Sequence, residues 1–93
     1  MSDKAIRVVI EGRVQGVWFR GWTVDEASRR GLRGWVRNRR DGAVEALFAG
    51  AADQVDDMVR ACRRGPPAAR VDNVAEHPAE DPGGEGFRHL PTA

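Results

Sequence analysis

The stretch Gly12-Arg13-Val14-Gln15-Gly16-Val17-Trp18-Phe19-Arg20 limits how this chain can fold more than any other part of it. It joins a strand-like run to a helix-like one and holds two glycines four residues apart. Glycine reaches backbone conformations closed to other residues, so the chain can reverse there and turn several successive N–H groups toward one point. A helix N-terminus beyond the turn adds unpaired N–H groups and a partial positive charge, and Arg20 adds a planar fork suited to two phosphate oxygens. The stretch therefore reads as an anion cradle of phosphate size. It is not a Walker loop, because no Gly-Lys-Ser/Thr follows, and it lacks the third glycine of a dinucleotide fingerprint. Taken alone, the same residues would also serve as a tight strand-to-helix turn with a solvated arginine.

Periodicity sorts the flanking chain into elements. Ala5 to Glu11 alternates, with Ile6, Val8 and Ile10 on one face and Arg7, Val9 and Glu11 on the other, which is a strand pattern. Phe19, Thr23, Ala27 and Gly31 fall at four-residue spacing while Asp25, Glu26, Arg29 and Arg30 take the wetter sides, so a helix is expected from about Gly21 to Arg30. Leu32 to Arg39 and Ala43 to Ala49 read as strands joined by an Arg40-Asp41-Gly42 hairpin turn. Leu32, Gly34, Val36 and Asn38 share the core side of the first, and Val44, Ala46 and Phe48 that of the second. Asn38 thus continues an inward-facing row at the rim of the sheet, where an amide is either a satisfied cap or a site residue.

The second helix is the clearest element. Val55, Met58, Val59 and Cys62 recur at i, i+3, i+4 and i+7, acids load its start, Arg60, Arg63 and Arg64 load its end, and Gly65-Pro66-Pro67 stops it. It is expected over Ala52 to Arg64, with Cys62 as a buried core residue. Val71 to His77 gives a fourth strand, in which the opposite parity of Val71 and Val74 calls for a bulge or an offset start. Glu80 to Gly86 is a loop, and Phe87 to Leu90 suits a short last strand. The order β-α-β-β-α-β with a short addition is an α+β, ferredoxin-like two-layer sandwich: an antiparallel sheet with two helices on one face and the other face toward solvent.

Composition sets the outer bounds. Ninety-three residues with 41% hydrophobic content suit one domain over 1–93, with 91–93 as a loose tail. The apolar runs are too short to span a membrane, and Met1-Ser2-Asp3-Lys4 is not followed by a signal-peptide core, so a cytoplasmic monomer without membrane contact is expected. The single Cys62 cannot form an internal disulfide, and no His/Cys cluster has metal-ligand spacing, so neither metal nor cofactor is expected. Fourteen arginines stand beside one lysine, Lys4, but fourteen acids leave the net charge at +1, and a codon preference explains the bias more simply than nucleic-acid contact. Arg37, Arg39 and Arg40 flank Asn38 and either steer anions toward it or form a solvated strand end.

Gly12-x-Val14-Gln15-Gly16-Val17-x-Phe19-Arg20, then Gly34-Trp35-Val36-x-Asn38, then Asp41-Gly42-x-Val44-Glu45, resembles the acylphosphatase family. Gly65-Pro66-Pro67-Ala68-Ala69-Arg70-Val71 is similar to that family's link into its fourth strand, and the resemblance runs from Ile6 to about Phe87. It implies metal-independent hydrolysis of the carboxyl–phosphate bond of a small acyl phosphate. It further implies that Arg20 and the amides of Val14, Gln15, Gly16, Val17, Trp18 and Phe19 bind the phosphate, and that Asn38 positions the attacking water. Gly21-Trp22 departs from the bulkier, more helix-favouring pair expected after the arginine, which bears on where the helix starts.

Other residues carry weaker expectations. His77 and His89 are the only imidazoles and neither is tied to the cradle by sequence, so both are expected in solvent. Thr23 and Ser28 lie in the helix with no base to activate them, which gives a covalent mechanism no support. Trp18 and Trp22 bracket the site, one as a pocket wall and the other as helix packing. One rival reading is a non-catalytic or carbamoyl-phosphate-handling domain of the same family. The other, from a different class, is an RNA-binding sheet using Trp35, which parity puts on the outer face; but the third strand offers Glu45 and Leu47 there in place of the aromatics that base stacking needs.

Overall fold

Alternating burial in the first strand decides where the helices lie. In the computed structural model, which describes residues 2–93, β1 (Asp3–Arg13) buries Ile6, Val8 and Ile10 and leaves the intervening side chains on the opposite face. The other elements are α1 (Phe19–Arg29), β2 (Arg33–Asn38), β3 (Val44–Ala51), α2 (Ala52–Arg64), β4 (Arg70–Pro78) and β5 (Phe87–His89). The sheet order is β4-β1-β3-β2-β5, and both helices cover the face that carries Ile6, Val8 and Ile10. This is the two-layer arrangement that the element order implies.

Both helices present the residues their spacing selects. α2 buries Val55, Met58, Val59 and Cys62, and burial pushes the Cys62 thiol up to about 12, so it packs as an apolar group. α1 buries Phe19, Thr23 and Ala27, and the Thr23 hydroxyl is satisfied by donating to the Phe19 carbonyl at 2.8 Å. α1 begins two residues before the expected Gly21. Trp18, at φ 64° and ψ 24°, turns the chain sharply enough for Phe19 to enter the helix at once.

One feature of the sheet differs from an all-antiparallel reading. β5 pairs with β2 in parallel, through Gly34 with Phe87 and Val36 with His89, so the sheet is mixed. The geometry requires it: a strand that turns back once after β4 runs opposite to β4, as β2 already does. Phe87 anchors the crossing by stacking on Phe48, ring centres 5.5 Å apart. On the other edge, Glu11 faces Asn73 while Gly12 faces Val71, so Asp72 is the extra residue of a bulge that reconciles the parities of Val71 and Val74. The tail is not loose at its last residue, since Ala93 donates to the Asn38 carbonyl and accepts from the Arg40 N–H.

The outer face is less open than strand parity alone suggests. Glu45 and Leu47 point outward yet are only 7% and 8% exposed. Glu45 lies between Arg7 and Arg37, each 2.8 Å away, and the Arg37 guanidinium also sits 4.8 Å over the Trp35 ring. The aromatic face that base stacking would need is thus occupied by Arg37. No helix among the described residues is long and apolar enough to cross a membrane.

Burial by itself raises the Glu45 carboxyl, but hydrogen bonds and attraction from Arg37 and Arg7 outweigh it and hold the group below its ordinary value of 4.5. As pH falls, the unfolded chain takes up this proton first. The stabilisation is therefore complete above about 4.5 and is lost as pH drops through the lowered folded value. Glu45→Gln is expected to cost about 1–2 kcal/mol at neutral pH, the two arginines being partly exposed. It is also expected to flatten the acid limb of the melting temperature, and parallel acid limbs for parent and variant would show that the triad contributes nothing.

Candidate active site

Register brings the cradle and Asn38 to one end of the sheet. β3 lies between β1 and β2, and its first residue, Val44, faces Ile10 on one side and Asn38 on the other. The loop that leaves β1 therefore emerges beside the hairpin that joins β2 to β3. Gln15 locks the two together, its side-chain amide donating to the carbonyls of Arg39 at 2.7 Å and Ala43 at 2.9 Å. Sequence reading assigned Gln15 to the phosphate through its backbone; the structure adds this side-chain staple, which no linear pattern signals.

The two glycines of the cradle serve different ends. Gly16 sits at φ 74°, in the left-handed region, with open space around it, so the turn itself requires it. Gly12 belongs to β1, where a Cβ would stand 2.2 Å from the Arg70 carbonyl oxygen, so it is needed for the close approach of β4. The N–H groups of Gln15, Gly16, Val17, Trp18 and Phe19 donate no hydrogen bond within the described residues. Five successive free donors before and at a helix start are a feature suited to meeting an anion.

Arg20 is the second residue of α1 and is half-buried. Arg7, Arg30, Arg33, Arg37 and Arg39 each hold a carboxylate, whereas Arg20 has none among the described residues. A cavity of about 210 Å³ opens between Gly16, Trp18, Phe19, Arg20, Gly21 and His89. Drug-sized ligands occupy sites of about 300–1,000 Å³, so this one suits a smaller guest. A larger hollow of about 450 Å³ lies by Trp22, Arg29 and the 64–67 segment, but its one acid, Glu26, is already held by Arg29 and Arg30.

Asn38 ends β2 on the face of Gly34 and Val36 and is partly exposed. It does not line the 210 Å³ cavity, and its side-chain amide makes no hydrogen bond within the described residues. The hairpin is closed by others: Asp41 accepts from the Ala43 N–H at 3.0 Å, and the Arg39 N–H donates to the Ala43 carbonyl at 2.8 Å. Asn38 is therefore not its cap. The Arg37-Arg39-Arg40 cluster is dispersed, with Arg37 on the outer face, Arg39 held by Asp41, and Arg40 alone without an acidic partner among the described residues. His89 is exposed, as expected, but it also lines the cavity beside the cradle, to which nothing in the sequence tied it. Its parallel pairing opposite Val36 carries it to the α1 side of the sheet, a placement decided by the β4–β5 crossing.

The family profile described as Acylphosphatase matches residues 6–89. The chain belongs to the acylphosphatase family. An acylphosphatase from Nitrobacter hamburgensis is 58% identical, over 99% of this chain and 99% of that one. Among solved structures, an acylphosphatase from Coxiella burnetii superposes with a TM-score of 0.90 at 33% identity, covering 95% of this chain and 93% of that chain. One from Bacillus subtilis superposes with 0.89 at 36% identity, covering 92% and 97%. Likeness at this level across the whole fold makes the chain a hydrolase with acylphosphatase activity, and its substrate class a small acyl phosphate.

The staple gives a test of how the acylphosphatase loop is held. Gln15→Ala removes two partly buried hydrogen bonds and is expected to lower unfolding free energy by about 1–2 kcal/mol in urea titration. A loss below about 0.5 kcal/mol would show that the loop holds its place without the hairpin.

Proposed function

We propose that phosphate binding falls to Arg20 and the backbone N–H groups of Val14, Gln15, Gly16, Val17, Trp18 and Phe19, and water positioning to Asn38. The observation that carries this reading is the coincidence, at one small cavity, of a guanidinium without an acidic partner and a run of five free N–H donors, of which Gly16, Trp18 and Phe19 line the cavity. Buried or half-buried cations ordinarily pair with acids, so one held free beside such a loop is matched to an anion that arrives from outside.

The chemistry follows from the leaving group. Water oxygen bonds to phosphorus, the bond from phosphorus to the acyl oxygen breaks, and its electron pair leaves on the carboxylate. The carboxylate needs no proton, so no general acid is required. The obstacle is bringing an electron-rich oxygen to a phosphoryl group that already carries negative charge. A fixed guanidinium and preorganised N–H dipoles offset that charge without a metal ion. Asn38 cannot take a proton near neutral pH, so its amide orients the water by hydrogen bonding, and the proton passes to a phosphate oxygen of the substrate. The freedom of its amide from protein partners and its place next to Arg39, which holds Gln15, support that role. On this reading the chain acts as a single-domain monomer over 1–93 in the cytoplasm, without nucleic acid.

Arg20→Gln is expected to weaken competitive inhibition by inorganic phosphate and to lower kcat/KM together, with the melting curve unchanged. Lysine restores only part of this, because a point charge replaces a two-pronged donor. Unaltered phosphate affinity in the folded Gln variant would rule the assignment out. Asn38→Ala is expected to separate the two quantities: kcat falls by about a hundredfold or more, roughly 2.7 kcal/mol, while phosphate inhibition stays within about threefold. Both are read from hydrolysis of an acyl phosphate in chelator-treated buffer, and near-parental turnover in Asn38→Ala would remove Asn38 from the mechanism.

A further inference from the structure

Trp18 stands apart from every other large apolar side chain. It is 65% exposed, and it is the one non-glycine among the described residues at positive φ, 64°. Bulky residues seldom adopt that conformation, and where they do the strain commonly serves a site. Its indole lies back over Gly21, where a Cβ would stand 2.2 Å from Nε1 and 2.5 Å from Cε2. A glycine in the first turn of a helix weakens it. The exposed ring, the strained backbone and the helix glycine thus have one common result, an indole held at the mouth of the 210 Å³ cavity.

His89 stands on another wall of that cavity, delivered by β5. If Arg20 and the loop amides take the phosphate, the remaining walls are the Trp18 ring, the backbone of Gly21 and the His89 imidazole. We propose that Trp18 and His89 form an acyl-side subsite that selects flat, apolar acyl groups, so that aroyl phosphates are preferred over short alkanoyl phosphates. This rests on the phosphate-binding reading of the same cavity. The indole face offers dispersion and stacking to a planar group, and the imidazole offers a second flat wall with an N–H able to donate to the acyl carbonyl oxygen. An acetyl group offers either wall far less flat surface than a benzoyl group.

The test compares kcat/KM for benzoyl phosphate and acetyl phosphate in the parent and in Trp18→Ala, Trp18→Phe, His89→Ala and Gly21→Ala. The parent is expected to favour benzoyl phosphate by about tenfold or more, about 1.4 kcal/mol. Trp18→Ala and Gly21→Ala should each cut that ratio at least about fivefold, the second by driving the ring off its seat while leaving position 18 unchanged. Trp18→Phe should retain most of it, and His89→Ala should lower it about threefold with inhibition by inorganic phosphate unaltered. Gly21→Ala keeps the test open should Trp18→Ala not fold, since alanine favours the helix. A parent that cleaves both substrates with a ratio unmoved by Trp18→Ala or Gly21→Ala overturns the subsite and leaves the phosphate reading standing. A parent that cleaves neither overturns both.

Discussion

The chain has to pass from a strand in the interior of the sheet to a helix on one face of it within the five residues Val14 to Trp18. So short a reversal cannot be made in ordinary conformations, and it takes two left-handed residues, Gly16 and Trp18. It also leaves the N–H groups from Gln15 to Phe19 without internal partners. Unpaired donors are tolerated only where water or a ligand can meet them, so the junction lies at the surface and is suited to an anion. The site is the consequence of the same turn that lets α1 fold back over Ile6, Val8 and Ile10.

A turn of this kind would be mobile if nothing held it, and the β1–β3–β2 pairing supplies the support. With Val44 facing both Ile10 and Asn38, the cradle and the hairpin share one end of the sheet, and the Gln15 amide spans them with two hydrogen bonds. The loop and the hairpin next to Asn38 are consequently tied by direct hydrogen bonds. β5 closes a further side, since Phe87 is fixed by its stacking on Phe48 and the alternation of the strand then puts His89 on the same face two residues on.

Charge is distributed in keeping with that arrangement. Glu45 is buried on the outer face because Arg7 and Arg37 pair with it from either side, and Arg30 joins Glu26 of α1 to Asp57 of α2. These arginines are structural because they have acids to satisfy. Arg13, Arg40, Arg64 and Arg88 also lack an acid but are exposed, so Arg20 stands apart as the half-buried arginine without an acidic partner among the described residues.

Motif resemblance indicated the family, and the sequence by itself determined the order of elements, the buried stripes of both helices, a bulge or an offset start near Val71 and the position of the turn before α1. Each of these is written in spacing along the chain: a period of two or nearly four, a parity clash, or a glycine where only glycine reaches the required conformation. The tertiary structure alone decided that Gln15 staples the loop, that Gly12 makes room for β4 while Gly16 makes the turn, that Trp18 seats its ring on Gly21, and that His89 lines the same cavity as Arg20. The reason is one of distance along the chain. Gln15 and Ala43, Gly12 and Arg70, and Arg20 and His89 are far apart in sequence, and only strand register and the direction of the last crossing bring them together.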